Sequence, residues 1–287
     1  MKTNIKYLAL AAITVFASCT KQLDITPEGS PSAQNFWKTK EDAIKAEAGM
    51  YELYNAEDFY GRGMFWFINA SDDMVTGRNK PEADNIKNFN RSYIGGGYTE
   101  SQWSMRYAII KRANDIIANV PAMMMDDNLK RQIIGDAYFN AGLVYFQLAA
   151  NYGNDKAGVP IVTPDADAAV AIPRAKNVSE NYDYIISLFL KAADNLPAFP
   201  AMKAADFGKA HQTAAWAYLS KVYLFKKDYV QMQRNMQIWS LVLVSMICLL
   251  TLLMYSRHQT IGRKNTSGRW FVHQMAAEPA GAANCQG

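Results

Sequence analysis

Few side chains in this sequence have the types and spacing that covalent chemistry needs. The histidines, His211, His258 and His273, show no metal-ligand spacing such as HExxH, and the chain has no GxSxG, Walker A or GxGxxG motif. Asp72 and Asp73 could suggest a glycosidase. That reaction, however, needs two carboxyl groups on either side of a substrate, about 5 to 9.5 Å apart, whereas adjacent loop residues more often form turns. The sequence therefore predicts a protein without catalytic residues, metal ligands or a cofactor.

A different chemistry is suggested near the N-terminus. A basic start and an apolar run over 7–16 precede Ala17 and Ser18, and Cys19 follows directly. This is the order of a signal peptide, and its end resembles a bacterial lipobox in which Phe16 replaces the usual leucine. The resemblance implies a thioether-linked diacylglycerol on Cys19; the alternative is an ordinary secretory signal. Because each buried methylene contributes roughly 0.8 kcal/mol, such a lipid would anchor the protein to a membrane.

The stretch 56–100 is rich in aromatic residues and glycine and has no clean helical period, so we interpret it as a loop. Aromatic rings can stack on the apolar faces of sugar rings, and binding residues are concentrated on loops. Trp66, Tyr93 and Tyr98 are therefore candidates for stacking on a glycan. Alternatively, the aromatic side chains of this stretch fill the core beneath the loop.

Outside this loop, apolar residues recur at helical spacing. The longest period belongs to a central helix with a single apolar face at Ile134, Tyr138, Ala141, Tyr145 and Leu148. Asp126 and Asp127 are expected to open this helix, and Gly153 to end it in a left-handed conformation. The following segment, 158–162, is expected to form a short strand because Pro160 disfavours helix in the residue before it.

Four further helices are predicted around the central one. Their apolar faces comprise Ile44, Ala48, Tyr51 and Tyr54; Trp103, Tyr107, Ile110, Asn114 and Ile117; Tyr182, Ile185, Phe189, Ala192 and Leu196; and, within 212–226, Ala215, Leu219 and Val222. Thr39 and Ser179 are expected to cap the first and third, and Asn114 to bond to neighbouring backbone. No strict 34-residue repeat joins the helices. The predicted fold is mostly α, with tetratricopeptide-like helical hairpins and long irregular loops.

The charge distribution argues against nucleic-acid binding. The formal net charge is +4, but its basic excess lies at the two ends of the chain, and no basic stripe interleaved with aromatic residues marks the middle. Apart from Cys19, the cysteines are Cys248 and Cys285. Both follow residue 230, so the body of the chain has no disulfide framework and no thiolate metal site.

Several of these motifs resemble the SusD/RagB family of nutrient-binding outer-membrane lipoproteins. The resemblance is carried by Arg112-Ala113-Asn114, by Asn151-Tyr152-Gly153 followed by Gly158-Val159-Pro160-Ile161-Val162, by Pro173-Arg174 and by the segment 218–229. It divides the chain into a lipoprotein signal peptide (1–18), a tether (19–35), a SusD-like helical domain (36–230) and an atypical tail (231–287). The helical domain is expected to be truncated, since the family's second, loop-rich half is not recognisable.

The resemblance implies a protein that is lipid-anchored to the outer membrane of a Bacteroidetes-type bacterium. There it would bind glycan or another nutrient and form the lid of a TonB-dependent, SusC-like transporter, without covalent chemistry. The alternatives are a glycoside hydrolase, a non-binding structural component of the transporter complex, and a truncated product without function.

The tail does not fit this resemblance. Residues 238–255 form an uninterrupted run without charge, long enough for a marginal membrane span. Three hypotheses account for it: a frameshift, fusion or assembly error near residues 230–236, a membrane anchor, or a buried core helix.

Overall fold

The structure is a computed structural model. It describes residues 36–75, 77, 81–90, 97–167 and 169–237. The signal peptide, the tether with Cys19, and the apolar segment 238–255 lie outside the described residues, so the predictions for these segments remain predictions.

The described part of the chain is built from helices. The helices are α1 (Lys40–Glu52), a π-helical turn (Glu57–Gly61), α2 (Phe65–Ile68), α3 (Pro81–Lys87), α4 (Tyr98–Asn119), α5 (Asp127–Tyr152), α6 (Val178–Asn195) and α7 (Gln212–Lys226), and residues 229–237 are also helical. The prediction of a mostly α fold is thereby confirmed. The prediction of a loop over 56–100 is wrong, because that stretch contains short helices. The strand predicted at 158–162 is also wrong, since that segment makes only an isolated bridge between Pro160 and Arg174.

Helix α5 lies at the centre of the helical body. It packs against α4 on one side and α6 on another, and α6 in turn packs against α7. A helix enclosed in this way is buried nearly all round. The prediction of one apolar stripe is therefore too narrow: Phe139 and Gly142 are buried, while Ile134 and Tyr138 of the predicted stripe are only partly covered. Gly142 permits the close approach of α6, because a Cβ atom there would lie 3.1 Å from the Phe189 ring.

The helix ends follow side-chain capping. Thr39 and Asp42 form a capping box at α1, and Asp126 Oδ1 accepts a hydrogen bond from Leu129 N at 2.9 Å, as predicted. The cap of α6 was predicted at Ser179, but Asn177 performs this role, since its Oδ1 accepts a hydrogen bond from Glu180 N at 3.0 Å.

Gly153 ends α5 for a different reason from the one predicted. Its φ is −96°, in the extended region, so no left-handed cap is formed. A Cβ atom at this position would lie 2.6 Å from Ala149 O and 2.8 Å from a Val178 methyl group. The glycine is needed for close approach of the chain and not for a positive φ.

The apolar face of α1 is rotated from the predicted one. Ala43, Glu47 and Met50 are buried, whereas Ile44 is 41% exposed. Adjacent residues on a helix lie about 100° apart, so the inclusion of Glu47 in the interior turns the helix by one residue. A hydrophobic period cannot reveal this register, because it counts a buried carboxylate as polar surface.

Replacing Gly158 by alanine is expected to lower the free energy of unfolding by about 1 to 3 kcal/mol. The added Cβ atom would overlap Asn181 Oδ1 and lie 2.6 Å from Asn177 O. Asn181 is fully buried and holds Val159 through both backbone groups, at 2.8 and 2.9 Å, so it cannot move aside freely.

Urea unfolding would measure this loss, with Gly49→Ala as the matched control. Gly49 lies within α1, and a Cβ atom there meets only the Arg112 guanidinium, at 3.2 Å. The control is expected to gain up to about 1 kcal/mol from helix propensity. Equal stability of the two variants would contradict the packing account of Gly158.

Candidate functional site

The aromatic side chains between α1 and α4 serve partly as core. Phe59 is buried beside Tyr54 at a ring-centroid distance of 5.3 Å, and the Arg106 guanidinium lies 4.7 Å from the centroid of its ring. Tyr60 stacks on Tyr54 at 5.5 Å and remains 42% exposed. The core-filling alternative therefore holds for Phe59, while Tyr60 keeps part of its ring at the surface.

Of the three predicted stacking residues, only Tyr98 has a side chain within the described part of the chain. Tyr98 is the first residue of α4, partly exposed, and its hydroxyl is hydrogen-bonded to Glu82 of α3. Burial, followed by the charge of Glu82, raises the pKa of Tyr98. Trp66 belongs to α2, but its side chain is outside the described part, and so is Tyr93. The structure therefore does not test a common site for the three residues.

The residues considered for covalent chemistry have structural surroundings. Asp72 and Asp73 are exposed in a bend, where Asp73 N donates to Ser71 Oγ at 3.2 Å. His211 caps α7, because its Nδ1 accepts a hydrogen bond from Ala214 N at 3.2 Å. Burial lowers the pKa of His211, which favours the neutral ring that this bond requires. Within the described ranges, no three histidine, cysteine or acidic residues are grouped to hold a metal ion.

A groove of about 510 Å³ between α4 and the segment 160–172 combines the features of a sugar site. Its apolar lining includes Trp103, Tyr107, Ile110, Pro160 and Val162, and its polar lining includes Lys111, Asn114, Asp115, Thr163 and Asp167. Flat apolar rings next to polar groups suit a pyranose, which presents an apolar face and a ring of hydroxyl groups. We call this concavity the α4 groove.

Successive turns of α4 supply the aromatic wall of the α4 groove. Trp103 and Tyr107 are four residues apart, so they lie on one helical face, with ring centroids 5.0 Å apart at 43°. Trp103 also meets the edge of Tyr152, at 5.1 Å and 80°. Tyr152 is fixed in turn by a 2.7 Å hydrogen bond from its hydroxyl to Thr99 O. The indole is thus supported on two sides by tyrosines.

The opposite wall is an irregular segment held by side-chain hydrogen bonds. Tyr107 Oη donates to Pro160 O at 2.8 Å, and Asn114 Nδ2 donates to Val162 O at 2.8 Å, which confirms the structural role predicted for Asn114. Tyr145 Oη accepts from Val162 N at 2.8 Å and donates to Val162 O at 3.2 Å. Burial raises the pKa of both Tyr107 and Tyr145, so the phenols remain protonated donors at neutral pH.

The arginine of the Pro173-Arg174 motif fixes the start of the same wall. Arg174 Nε donates to Gly158 O at 2.6 Å, and one of its terminal nitrogens donates to Tyr152 O at 2.7 Å. The guanidinium therefore joins the end of α5 to the segment that follows it. Such a bidentate tie explains how an irregular stretch keeps one conformation beside the groove.

The rim of the α4 groove carries charges that sugar hydroxyls can meet. Lys111 Nζ lies 2.9 Å from Asp115 Oδ2 across one turn of α4, and both side chains remain largely exposed. Beside the groove, a hydrogen bond from the Thr163 side chain lowers the pKa of Asp165. Carboxylates accept hydrogen bonds from hydroxyl groups, and the ammonium group donates them.

Tyr145→Phe tests the tethered wall. The substitution removes the acceptor for the partly buried Val162 N, and an amide left without its hydrogen bond costs about 1 to 3 kcal/mol. We therefore expect a loss of that size in the free energy of unfolding measured by urea denaturation. Tyr138→Phe is the matched control, since it removes a hydroxyl from a partly buried ring of the same helix, and we expect it to change stability by less than about 0.5 kcal/mol. A comparable loss in both variants would argue against the tether.

A second concavity, of about 790 Å³, lies between the start of α5, the end of α6 and the turns that precede α7. Its lining includes Lys40, Arg131, Gln132 and Lys203, with Leu129, Leu196 and Met202 as apolar contacts, and has no aromatic residue. A sugar ring would find hydrogen-bonding groups there but no flat apolar partner. The α4 groove is therefore the better candidate for a glycan.

None of the helices in the described part of the chain combines enough length and hydrophobicity to span a bilayer. The apolar run 238–255, predicted as a possible span, is not among the described residues.

Comparison with known families decides the relationship. Residues 24–224 match the SusD-like family model described as "Starch-binding associating with outer membrane". This chain belongs to the SusD-like family. The match includes all of α1 to α6 and most of α7, together with both walls of the α4 groove. The resemblance drawn from short motifs is therefore confirmed over the helical body.

Relatives with assigned names extend the comparison. SusD-like proteins P38 and P2 of Formosa agariphila are each 28% identical to the chain, over 235 and 230 residues. Each alignment covers 79% of this chain but only 43% or 44% of the relative. The chain thus spans less than half the length of the curated relatives it matches.

Solved structures share the fold. A SusD-like protein from Bacteroides fragilis superimposes with a TM-score of 0.62 at 19% identity, covering 74% of this chain and 41% of its own. A laminarin-binding SusD-like protein gives 0.59 at 23%, covering 70% and 43%. A SusD-like carbohydrate-binding protein from Bacteroides vulgatus gives 0.60 at 22%, covering 70% and 44%. At these identities the comparison establishes the tetratricopeptide-like helical fold.

Sequence reasoning did not identify the α4 groove. It assigned Trp103 and Tyr107 to a packing face, although the groove needs them together with the wall around Pro160. A detectable signal was present: Lys111 and Asp115 continue the same side of the helix with charge, so the apolar face of α4 is interrupted next to its aromatic residues.

Proposed function

We propose that this chain is a glycan-binding lipoprotein of the outer membrane, anchored through Cys19, which acts with a TonB-dependent, SusC-like transporter. The observation that carries the proposal is the family match over residues 24–224, whose description names starch binding and the outer membrane. Two of the structural neighbours are described as laminarin-binding and carbohydrate-binding SusD-like proteins. No covalent chemistry is required of the chain, because the work would be done by binding and by movement of a lid.

The α4 groove is the described surface best suited to the ligand in this proposal. Trp103 offers an aromatic wall next to the Lys111–Asp115 pair, and hydrogen bonds from four side chains fix the opposite wall. A pre-formed site of this kind loses less conformational entropy on binding than a loop that must first become ordered. The volume of about 510 Å³ lies within the usual range for small-ligand pockets. We therefore assign neutral oligosaccharides to the groove.

Glycan binding is tested directly with the full chain. Affinity electrophoresis in gels that contain starch, laminarin or no polysaccharide should retard the protein in at least one polysaccharide gel. Reducing-end assays on the same polysaccharides should show no release of sugar. Failure of the folded protein to bind any polysaccharide would overturn the proposal, and turnover of a bound glycan would favour the glycoside hydrolase alternative.

The proposed lipid anchor is tested with Cys19→Ala. In cells grown with labelled palmitate, the full chain should carry the label and sediment with outer membranes, and Cys19→Ala should lose the label and leave that fraction. An unlabelled wild-type protein would overturn the lipid anchor. If Cys19→Ala stays with membranes, the segment 238–255 becomes the anchor to examine, and its deletion should then release the protein.

The proposed transporter partner is tested by cross-linking in the same cells. A TonB-dependent transporter should be recovered with the wild-type chain, and its recovery should not depend on added glycan if the two form a standing complex. Recovery of the chain without any transporter would overturn this part of the proposal while leaving glycan binding intact.

A further inference from the structure

Two acidic side chains lie inside the helical body. Glu47 on α1 is 2% exposed, and Asp136 on α5 is fully buried. A buried carboxylate is expensive unless charges or hydrogen bonds compensate it. Each of the four carboxyl oxygens therefore needs a compensating partner.

One oxygen of each carboxyl group has a clear partner. Glu47 Oε2 lies 3.0 Å from Lys209 Nζ, in the segment before α7, and Lys209 Nζ is also 3.1 Å from Asp206 Oδ1. Asp136 Oδ1 accepts a hydrogen bond from Tyr51 Oη at 3.1 Å. The network thus joins α1, α5 and the connection between α6 and α7.

The other oxygen of each carboxyl group has no N–H or hydroxyl donor among the described residues. These atoms are Glu47 Oε1 and Asp136 Oδ2, and both are inaccessible to solvent. The two carboxyl groups are nevertheless close enough that a hydrogen bond with Glu47 is among the causes that raise the pKa of Asp136. Ionised carboxyl groups are acceptors only, so this bond can exist only if one of the two carries a proton.

We propose that Glu47 and Asp136 form a proton-binding site that holds a single proton between Asp136 Oδ2 and Glu47 Oε1 at neutral pH. The shared proton supplies the donor that both oxygens lack and forms a second polar bond between α1 and α5, next to that of Tyr51 with Asp136. Without it, two negative charges would face each other in the interior with Lys209 as their neighbouring cation. With it, the ion pair of Glu47 and Lys209 remains and Asp136 is neutral.

The proton belongs on Asp136. Lys209 stabilises a negative charge on Glu47, whereas Asp136 has only the Tyr51 hydroxyl as a donor. Burial in the first place, and the hydrogen bond and charge of Glu47 in the second, raise the pKa of Asp136 well above its ordinary value. The facing groups are Glu47 and Tyr51 from α1 and Lys209 with Asp206 from the connection before α7; Asn140 on α5 donates to Asp136 O at 2.8 Å and does not titrate.

The proton makes stability depend on pH with a definite sign. In the unfolded chain Asp136 loses its proton near its ordinary pKa of 3.8. In the folded chain the proton stays until the raised pKa is reached. The stabilisation is therefore complete at acidic pH below the unfolded pKa, and it is lost as the pH rises towards the folded pKa.

Asp136→Asn separates this proposal from an ordinary buried ion. The amide reproduces the proposed protonated acid, because its nitrogen can donate to Glu47 Oε1 and its oxygen can accept from Tyr51 Oη. In the full chain, thermal unfolding between roughly pH 5 and 9 should show the wild-type midpoint falling by several degrees as the pH rises. Asp136→Asn should fold, and its unfolding midpoint should depend less on pH than that of the wild type. It should also lose less stability than Glu47→Gln, which removes the charge opposite Lys209.

The control is Asp72→Asn, at an exposed acid in a bend, which should keep the wild-type pH dependence. Infrared spectroscopy of the wild-type protein gives a second measurement, since a protonated carboxyl group should be present at neutral pH and absent from Asp136→Asn. Wild-type pH dependence in Asp136→Asn, or a wild-type spectrum without a protonated carboxyl group at neutral pH, would overturn the proposal. If Asp136→Asn does not fold, the infrared result alone decides.

Discussion

Lys209→Met is expected to lower the free energy of unfolding by about 3 kcal/mol at neutral pH. Methionine retains the length of the side chain but removes the charge that compensates Glu47, whose side chain is only 3% exposed. Removing one partner of a buried ion pair is far more destabilising than removing both, since an uncompensated charge is left behind. Urea unfolding of the full chain measures the loss.

The matched control for this prediction is Lys111→Met. Lys111 also forms an ion pair, with Asp115 at 2.9 Å, but the two side chains are 76% and 45% exposed. A surface pair of this kind contributes at most about 0.5 kcal/mol. If the two methionine variants were equally stable, the buried network would not be the polar tie between α1 and the connection before α7 that the distances indicate.

Trp103→Ala is the second substitution for which we expect a large effect, this time on binding. Truncating a large aromatic residue at the centre of a binding site commonly costs about 2 kcal/mol of binding free energy, which corresponds to a roughly 30-fold larger dissociation constant. Affinity electrophoresis at several concentrations of the polysaccharide that the wild-type chain binds would measure this change. The urea midpoint should be measured in parallel, because Trp103 also contacts Tyr152.

Tyr98→Ala is the informative comparison for Trp103→Ala. Tyr98 is the member of the predicted stacking set whose side chain is described, and it lies at the start of the same helix as Trp103. Loss of binding in Trp103→Ala alone would support the α4 groove. Loss in Tyr98→Ala with normal binding by Trp103→Ala would place the glycan on the segment between α1 and α4, where the sequence first suggested it.

The helices could be predicted where local chemistry decides them. The range 212–226 agrees with α7, and the caps at Thr39 and Asp126 agree with the structure. Capping depends on one side chain and the backbone within three residues of it, so its signal is local. At α6 the same reasoning predicted Ser179 as the cap, whereas Asn177, two residues earlier, performs this role.

The candidate site could not be predicted to the same extent. Trp103 and Tyr107 have the spacing of core residues, and only the position of the segment around Pro160, held by Tyr145 from α5, leaves a groove beside them. The tether joins residues 17 positions apart, and Tyr107 reaches Pro160 across 53 positions. Contacts over such separations leave no periodic trace in a sequence.

By itself, the sequence determined the helical class, the central position of the helix before Gly153 and the family, because these follow from apolar periodicity and from short motifs. Tertiary structure alone decided which faces are inside. It placed Glu47 in the interior beside Asp136 and Lys209, although the apolar period of α1 predicted Ile44 on the buried face. The physical reason is that a charged side chain is buried only when other groups compensate it. For Glu47 these groups are Lys209, 162 positions away, and the carboxyl group of Asp136, 89 positions away, and they come together only when the chain folds.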